Sequence, residues 1–201
     1  MRLTASRNAS AALAAPSSGP VVAYTKRTEP ASLIMMRASS AALGVVGALK
    51  DISDGKKISK LHQLEEPANE VARAIAQAYA ESIGGQVAQA PIAVGPGKTD
   101  LAAAHDGKAQ FIVDAMPAGS TVQYFSFDWA HYTVFFLTQV RILDVASNTV
   151  LKSGKCAVKP PKDDPPTYDQ LMADEAAGLR KLLSQGAQAC VEDLLAKDLK
   201  F

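Results

Sequence analysis

An apolar stripe near the C-terminus constrains the fold more than any other feature of this sequence. Thr167 and Gln170 have the spacing of a capping box, which predicts that a helix begins there and reaches about Lys197. Apolar residues recur along it at intervals of three or four, as on one side of an α-helix. The stripe consists of Met172, Ala176, Leu179, Leu183, Ala187, Cys190 and Leu194. A helix with such a stripe must bury it, so we expect a sheet beneath it.

The stretch from residue 108 to residue 159 has the pattern of antiparallel strands. "KAQFIVDAM" ends at the turn signal Pro117-Ala-Gly119. "TVQYFSFDW", "HYTVFFLTQVRILDV" and "TVLKSGKCAVK" follow, the last two separated by a short turn that ends at Asn148. In the longest segment, Val134, Phe136, Val140 and Ile142 share one face. Three or four strands joined by short turns predict a meander.

The first hundred residues mix strand and helix signals. "VVAYTKR" predicts a first strand and "ASLIMMR" a second apolar run, before a helix of small residues at 38–49 and a polar loop at 50–57. "EEPANEVARAIAQAYAESIGG" predicts a helix with Val71, Ile75, Ala78 and Ser82 on one face and a stop at Gly84. "QVAQAPIAV" predicts a strand. We therefore expect an α+β fold: a mainly antiparallel sheet of four to five strands, packed by two to three helices, the C-terminal one long. Residues 1–20 are expected to be a flexible leader and 21–201 a single domain.

The only two cysteines, Cys156 and Cys190, are predicted to face the same layer. Cys190 lies on the apolar stripe, and Cys156 shares strand parity with Val150, Gly154 and Val158. A disulfide across this layer is the favoured interpretation and implies an oxidising compartment. Two reduced core thiols are the alternative, and would be favoured if the Cα atoms lay more than about 7 Å apart. A metal or redox role has the least support, because there is no C-x-x-C motif.

Composition and motifs give no case for catalysis, a cofactor or a metal. Lys plus Arg number 21 and Asp plus Glu 20, so net charge does not favour nucleic-acid binding. "GPGKTD" lacks the earlier glycine of a phosphate-binding loop. The histidines are scattered, and the one cluster that suggests an acid/base site is His105 with Asp106, to which His131 would have to be added by folding. No stretch is long and apolar enough for a transmembrane helix.

Two segments are candidates for binding a partner. Trp129, His131 and Tyr132 lie between two strands, near a predicted sheet end, where amphipathic aromatic residues often serve recognition. The alternative is that Trp129 only closes the core there. The small, apolar segment 32–49 is a candidate for contact with a protein partner or a membrane surface, against the alternative of a buried core helix.

The layout of the chain resembles small bacterial envelope lipoproteins of the periplasmic and outer-membrane accessory type. The resemblance rests on "SGKC", the loop "DDPPTYDQL" and the terminal helix with the second cysteine, "AC". It implies a non-catalytic protein that binds or stabilises an unidentified partner in an envelope assembly, without a cofactor. An enzyme acting on an envelope substrate and a cytosolic small-ligand-binding domain with reduced thiols remain alternatives.

Overall fold

The computed structural model describes residues 19–41, 43–95, 101, 107–159 and 163–201, so most of the predicted leader lies outside the described residues. The strands are β1 (Val21–Arg27), β2 (Leu33–Met35), β3 (Gln86–Val87), β4 (Ile92–Val94), β5 (Phe111–Phe125), β6 (Asp128–Asp144) and β7 (Thr149–Val158). The helices are α1 (Ala38–Ala41), α2 (Gly44–Leu61), α3 (Ala68–Ser82) and α4 (Tyr168–Lys197). The α+β class and the long C-terminal helix are confirmed.

The sheet is mixed, so the expectation of a mainly antiparallel sheet with four to five strands is wrong. In the described part of the chain it has seven strands: β3, β1, β5, β6 and β7 lie in that order, while β2 pairs with β5 and β4 with β1. The pairs β5–β6 and β6–β7 are antiparallel, as the meander predicts. All pairings of β1 and β2 are parallel. After β2, helices α2 and α3 return the chain to the starting end of the sheet. Strands β3, β4 and β5 therefore run in the same direction as β1 and β2, and such a crossover gives parallel neighbours.

Strand β5 continues through the sequence predicted to be a turn. Pro117 pairs with Thr138 of β6, and Gly119 with Leu137, so Ala118 is the extra residue of a β-bulge. Gly119 has φ +121°, a backbone conformation that glycine adopts readily. The local signal was therefore real, but β6 pairs across it and the strand does not end. This continuity lets β5 reach past β1 and pair with β2 as well.

The second helix extends through the region predicted to be a polar loop. The helix predicted at 38–49 is divided between α1 and α2, so the described part of the chain has four helices and not the expected two to three. The packed side of α2 is formed by residues at four-residue spacing: Gly47, Asp51, Gly55 and Ser59. An ideal Cβ on Gly55 would lie 2.0 Å from the Leu33 carbonyl oxygen, so the glycine lets α2 lie directly against β2. Glycine and aspartate are weak helix formers, which is why this stretch of sequence predicts a loop.

Helices α3 and α4 pack on one face of the sheet and enclose the main core. The α3 residues that point into it are Val71, Ala72, Ile75 and Ala76, so the predicted face is rotated away from Ala78 and Ser82. The helix ends at Ser82, and the predicted stop residue Gly84 follows the cap with φ +63°. The sheet contributes Val22, Val113, Ala115, Phe136, Val140 and Ile142 to this core.

Helix α4 begins with the predicted capping box: the Gln170 N–H donates to the Thr167 hydroxyl, and the Gln170 side chain accepts from the Thr167 N–H. Residues 173–176 have non-helical backbone angles, so a short first segment is kinked against the long second one. From Ala176 to Leu194 the predicted stripe is buried. The kink was not predicted, because the apolar spacing continues unbroken across it.

A buried carboxylate joins three strands of the sheet. Asp114 on β5 is about 1% exposed and forms ion pairs with Arg27 of β1 and Arg141 of β6, the latter at 3.0 Å. The Thr25 hydroxyl donates a third hydrogen bond to it at 3.0 Å. A buried charge is tolerated only when it is paired and hydrogen-bonded in this way. The cluster fixes β1, which has parallel neighbours only, against the antiparallel meander.

Candidate binding surfaces

Cys156 and Cys190 form a disulfide that links β7 to α4 inside the main core. Both residues are buried, at 2% and 0% exposure, so the prediction that they face one layer is confirmed. Their Cα atoms are 5.5 Å apart, within the range that a disulfide spans. Strand parity places Val150 on the same face, but Val150 is exposed. The pairing with β6 shifts register between Ile142 and Leu143, so the side chains at the start of β7 change face.

The turn between β5 and β6, which we call the hairpin tip (residues 124–132), carries two exposed aromatic side chains. Phe127 is fully exposed and Trp129 is 67% exposed. The Trp129 ring lies edge-on to Tyr124, with ring centroids 6.4 Å apart, and its Nε1–H donates to the Ser126 carbonyl at 3.1 Å. The indole is therefore oriented although most of its surface faces solvent. The alternative in which Trp129 only closes the core is not what the structure shows.

The three residues predicted as a binding group are divided between the surface and the core. Tyr132 is buried, its ring 6.0 Å from that of Tyr168, and its N–H donates to the Pro166 carbonyl. It therefore anchors the start of α4 to the sheet. Trp129 and His131 remain accessible. No local pattern separates these roles, because the strand parity of this segment depends on where the turn lies.

His131 is held by a carboxylate of the same tip. Its Nδ1 lies 2.6 Å from Asp128 Oδ2, and the Ala130 N–H donates to the other carboxylate oxygen at 3.2 Å. The hydrogen bond with His131 is the main reason why the pKa of Asp128 lies below its ordinary value. Within the described ranges, no group of three or more His, Cys, Asp or Glu residues is arranged to hold a metal ion. The pair fixes the shape of the tip.

A second accessible surface lies on α2 and the residue before it. We call it the α2 outer face, and it comprises Leu43, Val45, Val46, Leu49, Lys50, Lys56, Lys57 and Lys60. Val45, Val46 and Leu49 are 78%, 70% and 65% exposed. The alternative for segment 32–49, a buried core helix, is therefore wrong for the start of α2, although Leu33 and Met35 of the same segment are buried in β2. The run of apolar residues predicts the apolar half of this face. Lys50, Lys56 and Lys57 lie in the stretch predicted to be a loop, so the basic half is not predicted. The signal that indicates it is the four-residue spacing of Gly47, Asp51, Gly55 and Ser59.

The hairpin tip and the start of α2 lie at the same end of the sheet. The Met36 N–H, just after β2, donates to the Val122 carbonyl near the end of β5. The Arg37 guanidinium lies 5.0 Å from the centroid of the Tyr168 ring and donates to the Tyr168 hydroxyl at 2.9 Å. Because Tyr168 also packs on Tyr132, the chain between β2 and α1 is tied to the base of the tip.

The enzyme alternative requires His131 to lie near His105 and Asp106, but these two residues lie outside the described residues. The same holds for Lys98 and the rest of 96–100. Leu101 and Ala109, which lie on either side of residues 102–106, pack with Leu143 at the end of β6 remote from His131. Beside them, a groove of about 550 Å³ runs between β1 and the segment from β3 to β4, lined mainly by small and apolar residues.

None of the helices in the described ranges is long and apolar enough to cross a membrane.

Comparison with known proteins gives structural likenesses only. No family model matches the chain, and no curated protein matches it. The hypothetical protein CT253 from Chlamydia trachomatis is similar with a TM-score of 0.44 and 10% identity, over 90% of this chain and 95% of that one. Lipoprotein GNA1162 from Neisseria meningitidis gives 0.37 and 10%, over 89% and 99%. Protein XCC0632 from Xanthomonas campestris gives 0.37 and 13%, over 89% and 85%.

Proposed function

We propose that this chain is a non-catalytic accessory protein of the bacterial cell envelope that binds a protein partner through the hairpin tip. The observation that carries the proposal is the pair of exposed aromatic side chains, Phe127 and Trp129, at the end of a long hairpin. Aromatic residues dominate the energetics of protein interfaces, and large apolar groups exposed together mark such sites.

The tip is ordered in a way that favours binding. Trp129 is fixed by its contact with Tyr124 and its hydrogen bond to Ser126, and His131 by Asp128. Side chains that are already oriented lose little conformational entropy when a partner covers them. At the base of the tip, Tyr132 packs on Tyr168 of α4, so the exposed aromatic side chains stand on a buried anchor.

The buried disulfide supports an envelope location. Disulfides persist in oxidising compartments such as the periplasm and are rare in the cytosol. The link between Cys156 and Cys190 lies in the main core, shielded from solvent. In cells that make the protein, alkylation under denaturing, non-reducing conditions should add nothing to its mass, and two adducts should appear after reduction. Two adducts without reduction would contradict the envelope location.

Partner binding can be tested by site-specific photocrosslinking in the same cells. A photoreactive amino acid at position 127 should give a discrete adduct with one protein. The matched control places it at Leu151, which is also exposed but lies near the start of β7, at the opposite end of the meander. The substitution Trp129→Ala should weaken the adduct at 127, because it removes the larger aromatic surface beside it.

Tryptophan fluorescence gives a second measurement of partner binding at the tip. Trp129 is the only tryptophan in the chain, so intrinsic tryptophan emission reports on the tip alone. Adding the captured partner, itself labelled with a tryptophan analogue that absorbs elsewhere, should shift this emission to shorter wavelength. Equal adducts at 127 and 151, or an emission that the captured protein leaves unchanged, would contradict a binding role for the tip.

A further inference from the structure

Helix α2 has the reverse of the usual amphipathic arrangement. Its small and polar residues Gly47, Asp51 and Gly55 face the body of the protein, whereas apolar residues of its first half face solvent. At about 100° per residue, Val46, Leu49, Lys56 and Lys60 lie on the side opposite the buried one. The outer face therefore consists of two apolar turns followed by two basic turns.

The charge on this face is positive because the acidic residues of α2 are turned away or paired. Asp51 is 5% exposed and accepts a hydrogen bond from the Ser40 hydroxyl at 2.9 Å. Asp54 is half-buried and lies 3.7 Å from Arg37 and 3.9 Å from Lys57. The elements packed on α2 at this end, α1 and β2, carry no ionisable side chain. Lys57 has Asp54 as a neighbour, and Lys60 lines a pocket together with Glu29 and Glu65. Lys50 and Lys56 face solvent with no acidic residue of α1 or β2 beside them, so lysines outnumber the acidic groups near this face.

We propose that the α2 outer face binds the surface of an anionic lipid bilayer. Val45, Val46 and Leu49 enter the boundary between headgroups and acyl chains, and the lysines contact lipid phosphates. A helix with a basic side and an apolar side is the form in which peripheral proteins lie on anionic membranes. Each lysine near such a surface adds to the affinity through the negative surface potential.

The shape of the corner favours a lipid surface over an acidic protein. At the corner where α2 begins, Leu43, Val45 and Val46 are 54%, 78% and 70% exposed, so these apolar residues protrude into solvent and do not line a groove. A protein partner would need a pocket that matches this protrusion, whereas lipid headgroups rearrange around it. The lysine side chains are long enough to place their charges at the headgroups while their stems stay on the apolar side.

The test is cosedimentation of the full chain with vesicles at low ionic strength. The chain should bind vesicles of phosphatidylglycerol and phosphatidylcholine in equal parts, should not bind phosphatidylcholine alone, and should be released by added salt. The pair of substitutions Lys56→Glu and Lys60→Glu should lower the partition coefficient by about tenfold or more. The pair Val46→Ser and Leu49→Ser should also lower it by about tenfold, because it removes inserted apolar area.

Matched controls separate this face from general charge and hydrophobicity. Lys155→Glu with Lys181→Glu makes the same change in net charge at exposed sites on β7 and α4, and Val150→Ser with Leu151→Ser removes exposed apolar residues of β7. Both control pairs should bind vesicles as the unmodified chain does. Absence of binding to anionic vesicles, or an equal loss in the control pairs, would overturn the proposal. So would a crosslink from position 49 to an acidic protein in the absence of vesicle binding.

This inference is independent of the partner assigned to the hairpin tip. Trp129→Ala should weaken protein capture and leave vesicle partition unchanged. The α2 substitutions should do the opposite. Failure of one proposal is therefore visible while the other still holds.

Discussion

Glu66, just before α3, has a buried carboxyl group that makes folding depend on pH. It is about 4% exposed, and its carboxylate accepts hydrogen bonds from the N–H groups of Ser32 at 2.9 Å and Ala68 at 3.5 Å. Burial raises the pKa of Glu66 above its ordinary value of 4.5, although these hydrogen bonds and the charge of Arg27 oppose the change. Because the folded state holds the proton more tightly, this group stabilises the fold below the ordinary pKa, and that contribution is lost as pH rises through the folded pKa.

The substitution Glu66→Gln should remove this pH dependence. Its unfolding free energy relative to the unmodified chain should increase as pH is raised from about 4 to about 7, even if the loss of a hydrogen bond lowers it by a constant amount. Urea unfolding at a series of pH values measures this difference. Glu65→Gln, which removes an exposed carboxylate of the same loop, is the control. Parallel curves for Glu66→Gln and the unmodified chain would show the argument to be wrong.

At the scale of elements, the contact between α2 and β2 depends on a glycine. Alanine normally stabilises a helix interior relative to glycine by about 1 kcal/mol. At position 55 the added Cβ would lie 2.0 Å from the Leu33 carbonyl oxygen and 2.7 Å from its carbon, both backbone atoms that cannot move aside cheaply. Gly55→Ala should therefore destabilise the protein, by an amount of the order of 1–3 kcal/mol.

Ser53→Ala is the matched control, since Ser53 lies on the same helix and is exposed. It should be neutral or slightly stabilising because alanine has the higher helix propensity. Thermal and urea unfolding of both variants would decide the matter. A Gly55→Ala protein as stable as Ser53→Ala would mean that α2 does not pack closely on β2.

Elements with strong local signals were predicted well. The capping box at Thr167, the stripe of α4 and the alternation of β6 are each defined by residues close in sequence. The bulge at Ala118 and the reversed helix α2 are not predicted, for the same physical reason. In both, tertiary pairing overrides a local preference, since β6 pairs across a turn signal and β2 packs against a run of weak helix formers.

The candidate sites show the same division between local and long-range information. Strand parity placed Cys156 and the stripe placed Cys190, so the disulfide could be predicted. The parallel pairing of β1 with β5 joins residues about 90 positions apart, as the contact of Thr25 with Asp114 illustrates. No local pattern encodes such a pairing. The separation of Trp129 from Tyr132 was missed because it depends on the turn geometry at Asp128.

For the whole molecule, the disulfide is expected to be a major source of stability. It closes a loop with a sequence separation of 34 residues, for which the loss of unfolded-state entropy amounts to roughly 3–4 kcal/mol. The double substitution Cys156→Ala and Cys190→Ala should lower the unfolding free energy by about this amount, as measured by urea unfolding. The unmodified chain unfolded in the presence of a reductant should behave similarly. An unchanged midpoint in both cases would contradict a stabilising role.

The same bond also alters the connectivity of the chain. With Cys156 joined to Cys190, the polypeptide between them is a covalent ring that contains the start of α4 and its kink. A protease that cuts one peptide bond within that ring opens it but releases no fragment. A nicked molecule therefore keeps α4 tethered to the sheet at Cys190, and on a denaturing gel it separates into two pieces only after reduction. A single cleavage between Cys156 and Cys190 therefore does not separate α4 from the rest of the protein.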